Sequence, residues 1–164
     1  MKKIIAVWPR EPRTKDSKTI ALFYAMILVV FTAAQLFSLE KFIPLLETFN
    51  LPGNHAGRFV AVTLVVCGVF ALPFLLRMKL SVGMRWFSMF AGWVVPAVWL
   101  FVSLWVNVFQ VSITNAGYLG ASVQLLPGWW TVAIAAALGV LAAWSTWGLW
   151  PGSRFTLLES KRKK

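Results

Sequence analysis

The chain has 164 residues, of which 59% are apolar, and a mean hydropathy of +0.74. Soluble domains are about 45–50% apolar, so this excess indicates a membrane protein. A net charge of +11 would suggest nucleic acid in a soluble domain. Here the basic residues flank apolar segments, which indicates membrane orientation and contact with anionic headgroups instead. The single cysteine and single histidine exclude an internal disulfide and a haem held by two histidines of the chain.

Four apolar segments are long enough to cross a bilayer, which requires about 20 mainly apolar residues. They are residues 19–39, 59–76, 86–109 and 129–150. The sequence therefore predicts an all-α membrane protein, a four-helix transmembrane bundle over 19–150 between basic tails at 1–18 and 151–164. Pro96 lies inside the third segment, where we expect it to kink the helix and free a carbonyl.

The distribution of lysine and arginine predicts the orientation. Six basic residues lie in the N-terminal tail, three between the second and third segments, and five in the C-terminal tail. The first connection has only Lys41 and Arg58, and the third connection, 110–128, has no charge. By the positive-inside rule, both termini face the cytoplasm, and the first and third connections face the outer side of the membrane. We expect the first segment to be an uncleaved anchor, because its apolar residues continue to Leu39, past a small-residue cleavage pattern.

The stretch QLFSLEKFIPLLETFNLPG, residues 35–53, mixes charged and apolar residues after the first span. Its apolar residues recur at helical spacing: Leu39, Phe42, Ile43, Leu46 and Phe49. This pattern predicts a short amphipathic helix at the outer interface, with its apolar face toward the acyl chains or toward the bundle. Pro44 is compatible with a helix that begins near Lys41, because proline is tolerated in a first turn.

Two interpretations stay open for the charged side of this helix. In the simpler one, Glu40, Lys41 and Glu47 face water on an interfacial connector. In the functional one, a glutamate handles protons or binds a partner at a quinone or lipid pocket, and Lys41 is a second polar contact. Trp129 and Trp130, at the start of the last span, would then be aromatic walls, although an interfacial aromatic belt also explains them.

The last span carries small residues four positions apart, namely Ala135, Gly139 and Ala143. This spacing lets helix backbones approach closely. It predicts packing either within the bundle or against another membrane protein, which includes a second copy of the chain.

The sequence contains no phosphate-binding glycine loop, catalytic triad or metal-ligand cluster, so catalysis by the chain alone is disfavoured. No acidic or basic residue lies deep in a span, which disfavours a proton-driven transporter. A small transporter or channel that uses the kinked third span and Asn107 is the last of the alternatives.

Three short motifs resemble the DoxX/MauE family of small four-span bacterial membrane proteins, over about residues 20–110. LFSLEKF ends the first span, FIPLLETFNLP leads into the second, and FALPFLLRMKLS closes it. The resemblance implies an inner-membrane bundle associated with redox or thiol chemistry beside a partner protein. It also implies functional roles for Lys41 and for an outward-facing pocket beneath residues 42–49. Many relatives have a glutamate in the second span, whereas this chain has Cys67 there and no second thiol.

The leading hypothesis is therefore an accessory subunit of a redox-associated membrane complex, which holds a quinone, another lipid-soluble molecule or a partner near the outer leaflet. The main alternative is a structural or assembly subunit that has no ligand.

Overall fold

The structure is a computed structural model that describes residues 14–111, 113–121 and 123–150. Five helices make up its regular structure: α1 (Lys15–Phe37), α2 (Leu39–Glu47), α3 (Ala56–Leu75), α4 (Val82–Val108) and α5 (Trp129–Gly148). The all-α fold class is confirmed, as is a short amphipathic helix between the first two spans. Most of the predicted basic tails, residues 1–13 and 151–164, lie outside the described residues.

The four long helices confirm the four predicted spans. With 20 to 27 residues each, at 1.5 Å per residue, they are long and apolar enough to cross a membrane. The largest shifts are at the starts of α1 and α4, which each begin four residues before the predicted span. Thr14 is the N-cap of α1. The Ser17 amide donates to Thr14 Oγ1 at 3.2 Å, and Ser17 Oγ donates to the Thr14 carbonyl at 2.8 Å.

The spans form a closed ring in which α1 and α4 each pack against both α3 and α5. Gln35 of α1, Ser103 of α4 and Thr131 of α5 all contact Tyr118. Helices α1 and α4 therefore end, and α5 begins, at the same end of the bundle, so consecutive spans run in opposite directions. Helix α2 packs against α3, and the connection 109–128 folds over it at the same end of the bundle. We call α2 and the described residues of 109–128 together the cap. The connection between α3 and α4 lies at the opposite end.

Two glycines of α3 permit close helix contacts. A Cβ on Gly68 would overlap the Thr32 side chain of α1. A Cβ on Gly57 would lie 2.6 Å from backbone atoms of Leu46 and Glu47 in α2. Because these two glycines have no side chains, α1 and α2 can approach the backbone of α3 closely, as small residues permit in membrane helix packing.

Pro96 frees a carbonyl in the middle of α4, as the sequence predicts. Proline has no N–H to donate to the Gly92 carbonyl four residues earlier. The hydroxyl of Tyr24 in α1 supplies the missing donor, at 2.7 Å. Tyr24 is fully buried, so this hydrogen bond satisfies the carbonyl inside the bundle.

A second proline, Pro73, lies near the end of α3, where a serine enters the helical hydrogen-bond ladder. Ser88 Oγ of α4 donates to the Phe70 carbonyl and accepts from the Phe74 amide, the latter at 3.0 Å. These two groups would pair directly in a regular helix. The serine therefore bridges them and joins α3 to α4.

Candidate functional site

Helix α2 turns its apolar side into the protein. Phe42, Leu46 and the following Phe49 are buried, whereas Glu40 and Lys41 are exposed. The sequence allowed the apolar face of α2 to meet either the acyl chains or the bundle. In the structure it packs against the bundle. The helix begins at Leu39, two residues before the predicted start, because amides of its first turn already bond the Ser38 carbonyl. Pro44 consequently lies beyond the first turn.

The connection 109–128 is folded back onto α1 and α2. Gln35 Nε2 of α1 donates to the Tyr118 carbonyl at 3.0 Å, and Ser38 Oγ accepts from the Ala121 amide at 3.1 Å. Gly117 and Gly120 have φ of +80° and +67°, a region that favours glycine. A side chain on Gly120 would also overlap Ser38. These contacts fix an uncharged segment over the end of the bundle.

Asn115 organises this connection from within. Its side chain is buried, with 4% exposed. Its Oδ1 accepts from the amides of Gly117 at 3.0 Å and Leu125 at 3.3 Å, while Nδ2 donates to the Gly120 carbonyl at 3.3 Å. Asn115 thereby joins the two halves of the segment, as side-chain amides do in turns.

Tyr118 inserts from the cap into the bundle and is 2% exposed. Its ring stacks on Trp99 with centroids 4.1 Å apart and planes at 16°, and Phe31 meets it edge-on at 5.8 Å. Its hydroxyl donates to the Thr131 carbonyl at 2.8 Å and lies 3.0 Å from Ser103 Oγ. Burial raises the pKa of Tyr118 to about 12, against a smaller lowering by the Ser103 hydrogen bond. The phenol is therefore neutral at physiological pH.

The indole nitrogen of Trp99, beneath Tyr118, is a buried donor that has no hydrogen-bond partner within the described part of the chain. Trp99 itself is 1% exposed. A buried donor without an acceptor costs about 1–3 kcal/mol. The cap therefore covers a planar aromatic surface with an unused N–H.

A small cavity lies under the cap, between α4, α5 and the connection 109–128. It encloses about 10 Å³, of the order of one water molecule, and is partly open to the surface. Six apolar residues and two hydroxyl-bearing residues line it: Phe49, Val102, Val106, Ile113, Ala116, Pro127, Ser103 and Thr131. Of residues 42–49, beneath which the family resemblance implies a pocket, only Phe49 lines this cavity.

Asn107 pins the start of α5 to α4 beside this cavity. Its Nδ2 donates to the Ser103 carbonyl at 2.7 Å, and it lies 3.3 Å from the Gly128 carbonyl and 3.4 Å from Thr131 Oγ1. Gly128 is the N-cap of α5, so these contacts connect the start of that helix to α4. The structure thus gives Asn107 a packing role between two helices.

The five predicted ligand-binding residues lie on two elements, three in α2 of the cap and two at the start of α5. Glu40, Lys41 and Glu47 are exposed on the outer side of α2. Trp129 is 66% exposed and Trp130 40% exposed. The indole N–H of Trp130 donates to the Leu126 carbonyl at 3.0 Å, and its ring centroid is 6.4 Å from that of Tyr118. The ligand-binding roles of these five residues stay predictions.

The three small residues of α5 become more exposed along the helix. Ala135 is buried, Gly139 is half-buried and Ala143 is exposed. A Cβ on Gly139 would meet nothing within 4 Å, so no other part of the described chain packs on it. Ala135 therefore packs within the bundle, whereas Ala143 lies on its outer surface.

Tyr118, Ser103 and Thr131 form the polar centre of the site, and the sequence interpretation did not select them. Ser103 and Thr131 are polar residues of apolar helices, and Tyr118 follows Asn115 and Gly117 in the segment NAGYLG. The sequence feature that could have identified Tyr118 is its position between turn-forming residues in an uncharged connection. Among the described residues, no three His, Cys, Asp or Glu side chains come together as a metal site.

Comparison with protein-family models, with curated proteins and with solved structures found no match to this chain. The resemblance to the DoxX/MauE family therefore rests on the sequence motifs alone.

Proposed function

We propose that this membrane protein is an accessory subunit of a redox-associated complex and that its capped end holds a quinone-like molecule. The observation that carries the proposal is the aromatic surface of Trp99, which is flat, buried and provided with an unused N–H. A quinone head group is a planar ring with carbonyl acceptors. Its ring could stack on the face of an aromatic side chain, whereas a carbonyl placed at the edge of the indole, in the plane of that ring, could accept the N–H hydrogen bond. The likeness of the motifs to DoxX/MauE proteins points the same way.

Entry of such a ring requires the cap to move. Tyr118 occupies the face of Trp99, and the cavity under the cap has room for about one water. The uncharged connection 109–128 is the element that has to lift, since it supplies Tyr118. The exposed Glu40 and Lys41 on α2 are then the polar groups available to a partner protein at this end.

The test is to purify the full chain from a bacterial membrane in mild detergent and quantify co-extracted quinone per protein. The matched variant is Trp99→Phe, which keeps an apolar ring and removes the N–H. We expect quinone in the wild type and about a fivefold lower occupancy in the variant, which corresponds to about 1 kcal/mol for one hydrogen bond. Absence of quinone, together with no redox partner after gentle crosslinking, would refute the proposal.

A second function, a structural or assembly subunit, is favoured by the open surface at Gly139. Because a side chain there meets nothing in the described chain, Gly139→Leu should leave the monomer folded and disrupt only contacts with another chain. A smaller complex in native electrophoresis, with an unchanged helical circular dichroism spectrum, would support this alternative. Lys41→Ala should have no effect in that case, and loss of function from Lys41→Ala with assembly intact would argue against it.

We also propose the orientation that the basic residues predict, with the cap outside a bacterial inner membrane and both termini in the cytoplasm. The test uses a Cys67→Ser background with a single cysteine placed at Lys41 in the cap or at Lys79 at the opposite end. A membrane-impermeant maleimide added to spheroplasts should label the Lys41→Cys protein and spare the Lys79→Cys protein. The reverse labelling would invert the topology.

A further inference from the structure

We propose that the cavity under the cap binds one hydrogen-bond-donating hydroxyl group, held by the oxygen lone pairs of Ser103 and Thr131. The hydroxyl belongs either to a resident water or to an amphiphilic alcohol or phenol. This inference goes beyond the proposed quinone-like ligand and does not depend on it, because it concerns the cavity and the direction of the protons around it.

The hydrogen bonds of Tyr118 fix the direction of the Ser103 proton. A phenol has one proton, and Tyr118 donates it to the Thr131 carbonyl, which can only accept. The 3.0 Å contact between Tyr118 and Ser103 Oγ must therefore carry the proton of Ser103. Ser103 Oγ is left with lone pairs and no hydrogen to donate, and Ser103 is one of the residues that line the cavity.

The hydroxyl proton of Thr131 is also used in a hydrogen bond within the protein. Its Oγ1 donates to the Gly128 carbonyl at 2.6 Å and lies 3.4 Å from Asn107 Nδ2, a donor. Asn107 in turn directs its amide hydrogens at the Ser103 carbonyl, the Gly128 carbonyl and Thr131 Oγ1. Every donor of this cluster points at a protein acceptor. The two hydroxyl oxygens consequently present acceptor lone pairs to the cavity.

The size and walls of the cavity restrict what can meet these acceptors. About 10 Å³ fits one hydroxyl-sized group and no ring. The walls formed by Phe49, Val102 and Pro127 are apolar, so the carbon skeleton of a larger molecule would extend toward the open side. A carbonyl or ether oxygen at this position would face two other oxygens without a proton between them. The site therefore selects a donor.

A pair of probes that differ in one donated proton tests this selection. The full chain in lipid nanodiscs is titrated with 4-octylphenol and with its methyl ether, 4-octylanisole, and binding is measured by saturation-transfer NMR against empty nanodiscs. We expect the phenol to bind at least about fivefold more tightly than the ether, the fold-change of one hydrogen bond. Ser103→Ala should remove this preference. Ser145→Ala, which deletes a buried hydroxyl at the opposite end of α5, should keep it.

The second arm identifies a resident water. In the protein without probes, magnetisation transfer from water to the Ser103 and Thr131 signals is measured by solid-state NMR. Transfer without a phenol preference assigns the hydroxyl to water, and a phenol preference assigns it to the amphiphile; both results support the site. Equal or tighter binding of the ether, with no water transfer, overturns the inference. Thr131→Val replaces Ser103→Ala if that variant fails to fold, and the comparison of the two probes on the wild type needs no variant.

Discussion

Replacing Tyr24 with phenylalanine should destabilise the bundle, because the substitution leaves the Gly92 carbonyl without a donor. That carbonyl lies four residues before Pro96, whose missing N–H cannot bond it. The Tyr24 hydroxyl donates to it at 2.7 Å from a side chain that is 1% exposed. Interhelical hydrogen bonds in membrane proteins contribute about 0.6 kcal/mol and at most about 1.7. An unpaired buried acceptor costs about 1–3 kcal/mol, so we expect a loss of about 1–2 kcal/mol for Tyr24→Phe.

The Pro96→Ala background tests this explanation. An alanine at this position would restore an N–H to the α4 ladder, so the Gly92 carbonyl would keep a helical hydrogen bond without Tyr24. Tyr24→Phe should then cost only a few tenths of a kcal/mol, which gives a coupling energy of about 1 kcal/mol between the two positions. The free energies of unfolding come from titration of mixed micelles with dodecyl sulfate, followed by far-ultraviolet circular dichroism. An equal cost of Tyr24→Phe in both backgrounds would show that the unpaired Gly92 carbonyl is not the cause of the destabilisation.

Two further predictions concern a helix contact and the cap. Gly68→Ala should destabilise the protein by about 1–3 kcal/mol because its Cβ would overlap Thr32. Gly139→Ala should leave the free energy of unfolding unchanged or slightly higher. Equal effects of the two substitutions in dodecyl sulfate titrations would contradict this packing. The pKa of Tyr118 is raised from 10.0 to about 12 in the fold, so its contribution to stability is complete below pH 10 and is lost as the pH rises toward 12. Tyr118→Phe should remove this part of the alkaline decline in unfolding free energy, and an identical decline in both proteins would show that Tyr118 is not its source.

The elements that depend on local composition can be predicted from the amino-acid sequence. About 20 consecutive apolar residues have to form a helix in a bilayer, because no water is present to satisfy their backbone groups. The four spans and the amphipathic α2 follow from this length and from the spacing of Phe42, Leu46 and Phe49. The carbonyl freed by Pro96 is also a local consequence, since proline lacks an N–H wherever the chain goes.

Contacts between helices and connections determine which apolar surfaces meet protein and which face outward. Lipid tails and leucine side chains are equally apolar, so the pattern of α2 fits acyl chains and bundle alike, and the small residues of α5 show no preferred side. The candidate site depends on contacts between residues far apart in the chain, such as Gln35 with Tyr118 and Tyr118 with Ser103. Those pairings exist because the uncharged connection 109–128 folds back onto the bundle, and hydrophobic periodicity contains no information about that return.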